Sequence, residues 1–313
     1  MNDQILENYQ IRKSNKEKDR FIGYLKERLS ASGYDPECDI TVEEKWKGIF
    51  LTRNIIVGDP DKAKVLLAAH YDTCALLPFP NLMAPTSPFL FIAYQLFLVV
   101  MIFLVATIPA VIAGFFTEDP MIIYYVFELS LILFLVQVMF GFKNRHAAND
   151  NTSGVVTLTR FLERLPEEQR EKVCVIFFDN EEKGLFGSMH FAEKHKDAAK
   201  NTLMINLDCV GDGETIVSLA KKEATSHELY PVFAETMEQN GTHFDGSIQC
   251  RKMLPMMFPS DQSNFKKGIG VCALNKSPLG MYCARIHTPK DTVCLEENVK
   301  VLAEAMIEFV EKV

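Results

Sequence analysis

Apolar positions recur along this chain with three different periods, and each predicts a different kind of element. Val65 to Ala69, Val173 to Phe178 and Leu203 to Leu207 are short, nearly continuous apolar runs, the pattern of strands buried on both faces. Ile49 to Val57 reads as a further strand, separated from the Val65 run by the turn signal Gly58-Asp59-Pro60-Asp61. Helical spacing governs Lys16 to Leu29, with Phe21, Leu25 and Leu29 on one face, and the C-terminal segment, with Val299, Leu302, Met306 and Val310. Ser153 to Leu165 is also helical in pattern and stops before Pro166. The third pattern has no polar face. Pro88 to Phe116 and Met121 to Phe142 are apolar throughout, about 29 and 22 residues against the roughly 20 needed to cross a hydrocarbon core. Their strongly polar interior positions are Gln95, Glu128 and Gln137.

Strands alternating with helices imply an α/β domain around a mixed, largely parallel central sheet, and such sheets bind ligands beyond the carboxyl ends of their strands. The two apolar runs imply a transmembrane helical hairpin inserted into that domain. The expected division is therefore 1–87 and 143–313 for the two parts of the main domain and 88–142 for the hairpin, which contacts the lipid bilayer. Lys143 and Arg145 follow the second run, whereas the connection carries Glu118 and Asp119. Positive charge is retained on the cytoplasmic side, so the expectation is a multi-pass protein of the cell membrane with its main domain in the cytoplasm. Glu128, inside the second run, is expected to snorkel or to pair within its own helix.

Composition narrows the function. A formal charge of −8 over 313 residues, with no basic stretch interleaved with aromatics, excludes a nucleic-acid binder. The eight cysteines form no C-x-x-C pair, and the chain is large enough to bury a core without disulfides, which suits a reducing compartment. The polar first 20 residues carry no cleavable signal pattern.

Candidate chemistry clusters at the predicted strand ends. His70-Tyr71-Asp72, Asn149-Asp150-Asn151, Asp179-Asn180-Glu181-Glu182, Asn206-Leu207-Asp208 and His287-Thr288 with Asp291 are each weak alone. Together they offer histidines and carboxylates in the numbers a two-metal centre needs, with a spare acid for proton transfer. The membrane hairpin falls between the first and second of these segments. Cys74 lies two residues past Asp72 and reads as a bystander rather than a nucleophile.

These segments, in this order, resemble the M28 family of zinc metallopeptidases, its aminopeptidase group. The likeness also includes Ser260-Asp261-Gln262-Ser263-Asn264-Phe265 and covers nearly everything from about Asp19 onward except the hairpin. The resemblance implies two zinc ions, replaceable by cobalt or manganese. His70 and Asp208 would hold one, Glu182 and His287 the other, and Asp150 would bridge them. It also implies a catalytic pair: Glu181 as general base, and Asp72 as the carboxylate that orients the His70 imidazole. The implied substrate is a peptide with a free amino terminus, hydrophobic or membrane-associated peptides being favoured by the hairpin.

One departure stands in the Ser-Asp segment, where Gln262 occupies a place often held by histidine; a glutamine donates and accepts hydrogen bonds but does not titrate. With Met256 and Phe258 just before it, Gln262 is expected to contact substrate. The related M20 peptidases insert a separate domain between the Glu-Glu pair and the last histidine, for which this chain has no room. The competing readings are other zinc-dependent amide chemistry, such as glutaminyl cyclisation, and a non-catalytic membrane module on the same fold. The oligomeric state is open.

Overall fold

The computed structural model describes all residues except 1, 78, 80, 243, 255 and 256. The expected substrate contact Met256 therefore lies outside the described residues. After a short helix α1 (Gln4–Asn8) come α2 (Asn15–Ser30), β1 (Ile40–Lys47), β2 (Phe50–Val57), β3 (Val65–His70) and β4 (Leu82–Met83). The long helices α3 (Pro88–Gly114) and α4 (Pro120–Phe140) follow, then α5 (Gly154–Arg164), β5 (Val173–Phe178), α6 (Phe186–Lys194), α7 (Lys196–Asn201) and β6 (Leu203–Leu207). The chain ends with β7 (Thr215–Ala220), α8 (Tyr230–Gly241), β8 (Ser247–Lys252), β9 (Gly268–Ser277), β10 (Gly280–Ala284) and α9 (Glu296–Glu311).

The sheet runs β1-β2-β5-β3-β6-β9-β10-β4, with β7 pairing β9 and β8 pairing β7. Its centre, β5-β3-β6-β9, is parallel. Antiparallel pairs flank that centre: β1 with β2 and β2 with β5 on one side, β10 with β9 and with β4 on the other.

The continuous apolar runs of β3, β5 and β6 arise because both faces of these strands are covered. Val65, Leu67, Ala69, Val175, Phe177 and Ile205 point into one layer with α2, α5, α8 and α9. Their alternates Leu66, Ala68, Cys174, Ile176, Phe178 and Met204 point into the other, against Phe191, Ala198 and Ala199 of α6 and α7. Helix α2 begins at a capping box in which Ser14 and Glu17 satisfy each other's backbone N–H groups. It buries Phe21, Leu25 and Leu29, as their spacing predicts, together with Lys18.

Helices α3 and α4 pack against each other and project from the domain. Both are long and apolar enough to cross a membrane, and only 11% and 6% of their most apolar windows are buried. At 1.5 Å per residue they are about 40 and 31 Å long. Because a short connection joins their far ends, the surplus of α3 lies at its beginning, next to the domain. The chain leaves and re-enters the domain side by side: Ala75 bridges Lys143, and Leu76 N–H donates to the Phe142 carbonyl at 2.8 Å. Such closely spaced ends let a hairpin be inserted without disturbing the sheet. Glu128 accepts a hydrogen bond from Tyr124, one turn earlier in α4, so it is paired within its own helix.

Candidate metal centre

His70 is the last residue of β3, Asp179 follows β5 and Asp208 follows β6, so the parallel strands deliver all three to one edge of the sheet. His70 Nε2 lies 3.3 Å from Asp150 Oδ1 and 3.5 Å from Asp208 Oδ1. His287 Nε2 lies 2.9 Å from Asp150 Oδ2 and 3.1 Å from Glu182 Oε2. The two oxygens of Asp150 thus face two separate histidine–carboxylate groups. Sheet topology brings together residues as far apart in sequence as His70 and His287.

The turns that present these groups are braced by buried polar side chains. Asp291 accepts the backbone N–H groups of Asn149 at 2.8 Å and Asp150 at 3.1 Å. Asn149 Oδ1 accepts from Gly211 and Asp212, and Asn151 Nδ2 donates to the Leu207 carbonyl at 2.7 Å. Asp72 accepts the N–H groups of Glu181 at 2.9 Å and Glu182 at 3.3 Å. Its carboxylate is 3.6 Å from His70 Nδ1, while its own carbonyl oxygen is the nearer partner at 3.3 Å. Asp72 therefore anchors the Glu181-Glu182 turn more directly than it orients the imidazole. Asn180, Cys209 and His287 adopt left-handed backbone angles, with φ of 55°, 59° and 59°. Non-glycine residues in that region are uncommon and cluster where a side chain is aimed for function.

The electrostatics point to missing positive charge. Asp150 and Asp208 are buried and Glu182 is half-buried, and among the described residues no lysine or arginine lies within 4.0 Å of them. Glu182 Oε1 is buried with no hydrogen-bond partner. Burial alone lowers the pKa of the His70 imidazole, yet Glu181, Asp150 and Asp208 outweigh it and raise that pKa well above its ordinary value. Burial also pushes the Glu181 carboxyl well above the usual carboxylate range, with Glu182 and Asp261 adding repulsion that His70 only partly offsets. Burial, aided by Asp150, pushes Asp291 up to about 8. His70, Asp150 and Asp208 bring one donor atom each within 4.8 Å of one another. Mixed nitrogen and oxygen donors converging in a carboxylate-rich cluster fit divalent cations. Cys74 shares such a grouping with Glu182 and His287; it is buried, and burial raises its thiol pKa well above the ordinary value.

A cleft of about 280 Å³ opens over the cluster. Its floor includes His70, Asp150, Glu181, Glu182, Asp208 and His287. One wall comes from Asn81 to Ala84, another from Met257, Pro259 and Ile286, and a third from Phe91, Tyr94, Gln95 and Leu98 of α3. Two of the expected substrate contacts sit elsewhere. Phe258 is 2% exposed and packs with Cys209, Val217 and Cys272. Gln262 is fully buried, accepting from Asn206 at 2.9 Å and donating to the Phe258 carbonyl at 2.8 Å, so its amide pins the loop. The wall from α3 escaped the sequence reading, although Phe91, Tyr94, Gln95 and Leu98 share one helical face and include polar atoms in an otherwise apolar run.

An α/β sheet with a parallel centre and a histidine–carboxylate cluster at its strand ends defines a protein with a candidate metal centre. The model of peptidase family M28 matches residues 136–310, more than half of the 313 residues, and the chain belongs to that family. The fold is similar to that of the LapA aminopeptidase of Legionella pneumophila, with a TM-score of 0.54 and 13% identity over 98% of this chain and 69% of that one. It is also similar to a glutaminyl cyclase of Bacteroides thetaiotaomicron bound to N-acetylhistamine (TM-score 0.56, 18% identity, 97% and 94% of the two chains). A glutaminyl cyclase of Macrostomum lignano gives 0.58 and 12%, over 98% and 86%. At these identities the likeness is one of fold. No curated protein sequence matches the chain.

Proposed function

We propose that this protein is a membrane-anchored dinuclear zinc aminopeptidase. The observation that carries the reading is Asp150, whose two carboxylate oxygens face His70 with Asp208 on one side and His287 with Glu182 on the other. On this reading His70 and Asp208 hold one ion, Glu182 and His287 hold the second, and Asp150 is shared. When bound, the ions supply Lewis-acid polarisation of the scissile carbonyl and a more acidic water. Glu181 takes the proton from the attacking water and returns it to the leaving amine. Asp72, through the backbone N–H groups of Glu181 and Glu182, holds the base and one ligand in a fixed relation.

Hydrophobic, membrane-associated peptides are the proposed substrates, because the membrane helix α3 supplies one wall of the cleft. In this arrangement 88–142 is the anchor, 1–87 and 143–313 form the catalytic domain on the cytoplasmic side, and Thr117 to Pro120 lies opposite.

Metal analysis after reconstitution should find about two zinc ions per chain, and Glu181→Gln should keep them while lowering turnover roughly 10²–10⁴-fold. A chain that takes up no divalent ion, or a fully active Glu181→Gln, overturns the assignment. Glutaminyl cyclisation is a second reading, supported by the similarity in fold to two glutaminyl cyclases. Mass spectrometry of a peptide beginning with glutamine separates the two: cyclisation expels ammonia, whereas hydrolysis adds water and releases the residue.

A further inference from the structure

The turn between β1 and β2 carries apolar side chains that the domain leaves uncovered. Trp46, the only tryptophan in the chain, is 65% exposed, and Ile49 is 77% exposed. Hairpin tips ordinarily carry polar turn formers, so large apolar groups there call for an apolar surrounding. The next residue shows where that surrounding lies. Phe50 stacks on Phe140, with ring centroids 5.5 Å apart and planes 10° apart. Phe140 is the last residue of α4, a helix of about 31 Å that matches a hydrocarbon core of about 30 Å.

On the reading that α3 and α4 span a bilayer, Phe140 marks the hydrocarbon boundary on the side of the catalytic domain. Ile49 is one residue from Phe50, about 3.8 Å between Cα atoms, and Trp46 is the register partner of Leu51. The tip is therefore held near the level at which tryptophan is enriched in membrane proteins. Lysines outnumber acids in the recess beside it. Lys13, Lys143 and Lys183 line a recess of about 360 Å³ beside Gly141, where Glu17 accepts from the Lys143 ammonium at 2.6 Å, and the Lys183 ammonium lies 5.3 Å from the Phe50 ring. An apolar tip next to lysines suits an anionic lipid surface.

We propose that the β1–β2 turn is a second membrane contact, in which Trp46 and Ile49 enter the headgroup region beside the end of α4 while Lys13 and Lys183 face lipid phosphates. Together with α3 and α4 it gives the catalytic domain a third point of support. Two helices packed as one hairpin leave the domain free to rock; a separate contact on β1–β2 fixes its tilt and keeps the cleft at the bilayer surface.

Because Trp46 is the only indole, fluorescence of the full-length protein excited at wavelengths beyond the absorption of its nine tyrosines reports on this turn alone. The protein is reconstituted into vesicles of phosphatidylcholine and phosphatidylglycerol, with acyl chains brominated either near the headgroup or near the bilayer centre. The expected result is emission at shorter wavelength than that of a water-exposed indole, with a larger loss of intensity from shallow bromine than from deep bromine. Ile49→Asp should reduce the shallow loss while leaving the circular dichroism spectrum unchanged. A chain that floats with the vesicles yet keeps the emission of a hydrated indole and loses no intensity overturns the proposal and leaves the spanning helices intact. A chain that stays with the soluble fraction overturns both.

Discussion

Replacing Lys18 by methionine tests whether the turn that carries Glu181 and Glu182 depends on a buried charge from α2. Lys18 and Asp179 are 1% and 0% exposed and form an ion pair, and the Lys18 ammonium also donates to Asn180 Oδ1 at 2.9 Å. Asp179 further accepts the backbone N–H groups of Arg53 and Asn180, at 2.9 and 2.8 Å. Burial outweighs the attraction of Lys18 and holds the Asp179 carboxyl above its ordinary value, so the pair sits in a costly environment even when intact. Lys18→Met strips the carboxylate of its counter-charge but not of its burial. The expected loss is about 3–5 kcal/mol, the range for breaking a buried pair. That is a large share of the roughly 5–15 kcal/mol by which domains are stable.

Lys18→Met/Asp179→Asn removes both charges at nearly constant shape and should recover at least about 1 kcal/mol relative to Lys18→Met. The assay is guanidinium unfolding in mild detergent followed by near-ultraviolet circular dichroism. A chelator is present throughout, so that metal binding adds nothing to stability. Equal denaturant slopes would license comparison of midpoints. A loss below about 1 kcal/mol in Lys18→Met, or a double variant whose loss is the sum of the two single losses, would refute the reasoning.

A Cβ on Gly154 would lie 2.5 Å from the Leu207 carbonyl oxygen and 2.7 Å from Asn151 Oδ1. Gly154→Ala should therefore cost about 1–3 kcal/mol, more than the roughly 1 kcal/mol that alanine gains in a helix, and zinc titration should show weaker binding; unchanged affinity would exonerate this contact. Glu43 is buried and accepts from Lys194 and from His195 Nε2, and although burial raises its carboxyl, these two partners bring it below its ordinary value. A carboxyl lowered in the folded state stabilises above its unfolded pKa and loses that contribution as pH falls through the folded one, so Glu43→Gln should cost about 1 kcal/mol at neutral pH and flatten the stability loss between about pH 5 and 3. An unchanged acid limb in denaturation curves would count against the pairing. Leu98→Ala should lower kcat/KM for apolar N-terminal residues by about tenfold relative to polar ones, as measured on matched peptides; an equal fall for both would remove α3 from specificity.

Burial on both faces writes itself into sequence, which is why β5 and β6 are found at their full extent from apolar runs alone and why the two long helices stand out. The segments bearing His70, Asp150, Glu182, Asp208 and His287 were legible because each combines metal-ligating residue types with a place beside a strand or helix end. Their directions were not. Asn180, Cys209 and His287 turn through left-handed backbone angles, and hydrophobic periodicity carries no information about such turns. Gln262 and Phe258 were expected in the cleft but point inward, where an amide and an aromatic ring satisfy the loop itself. Lys18 reads as one more polar position on α2, yet the fold closes over it and supplies a partner 161 residues away. A helix apolar on every side cannot declare in its sequence which face meets the rest of the protein; only the docking of α3 beside Asn81 to Ala84 made Phe91, Tyr94, Gln95 and Leu98 a wall of the cleft. Local pattern determined the elements and the residue types of the site, while contacts between distant segments, whose energies depend on three-dimensional closeness, decided where each side chain points.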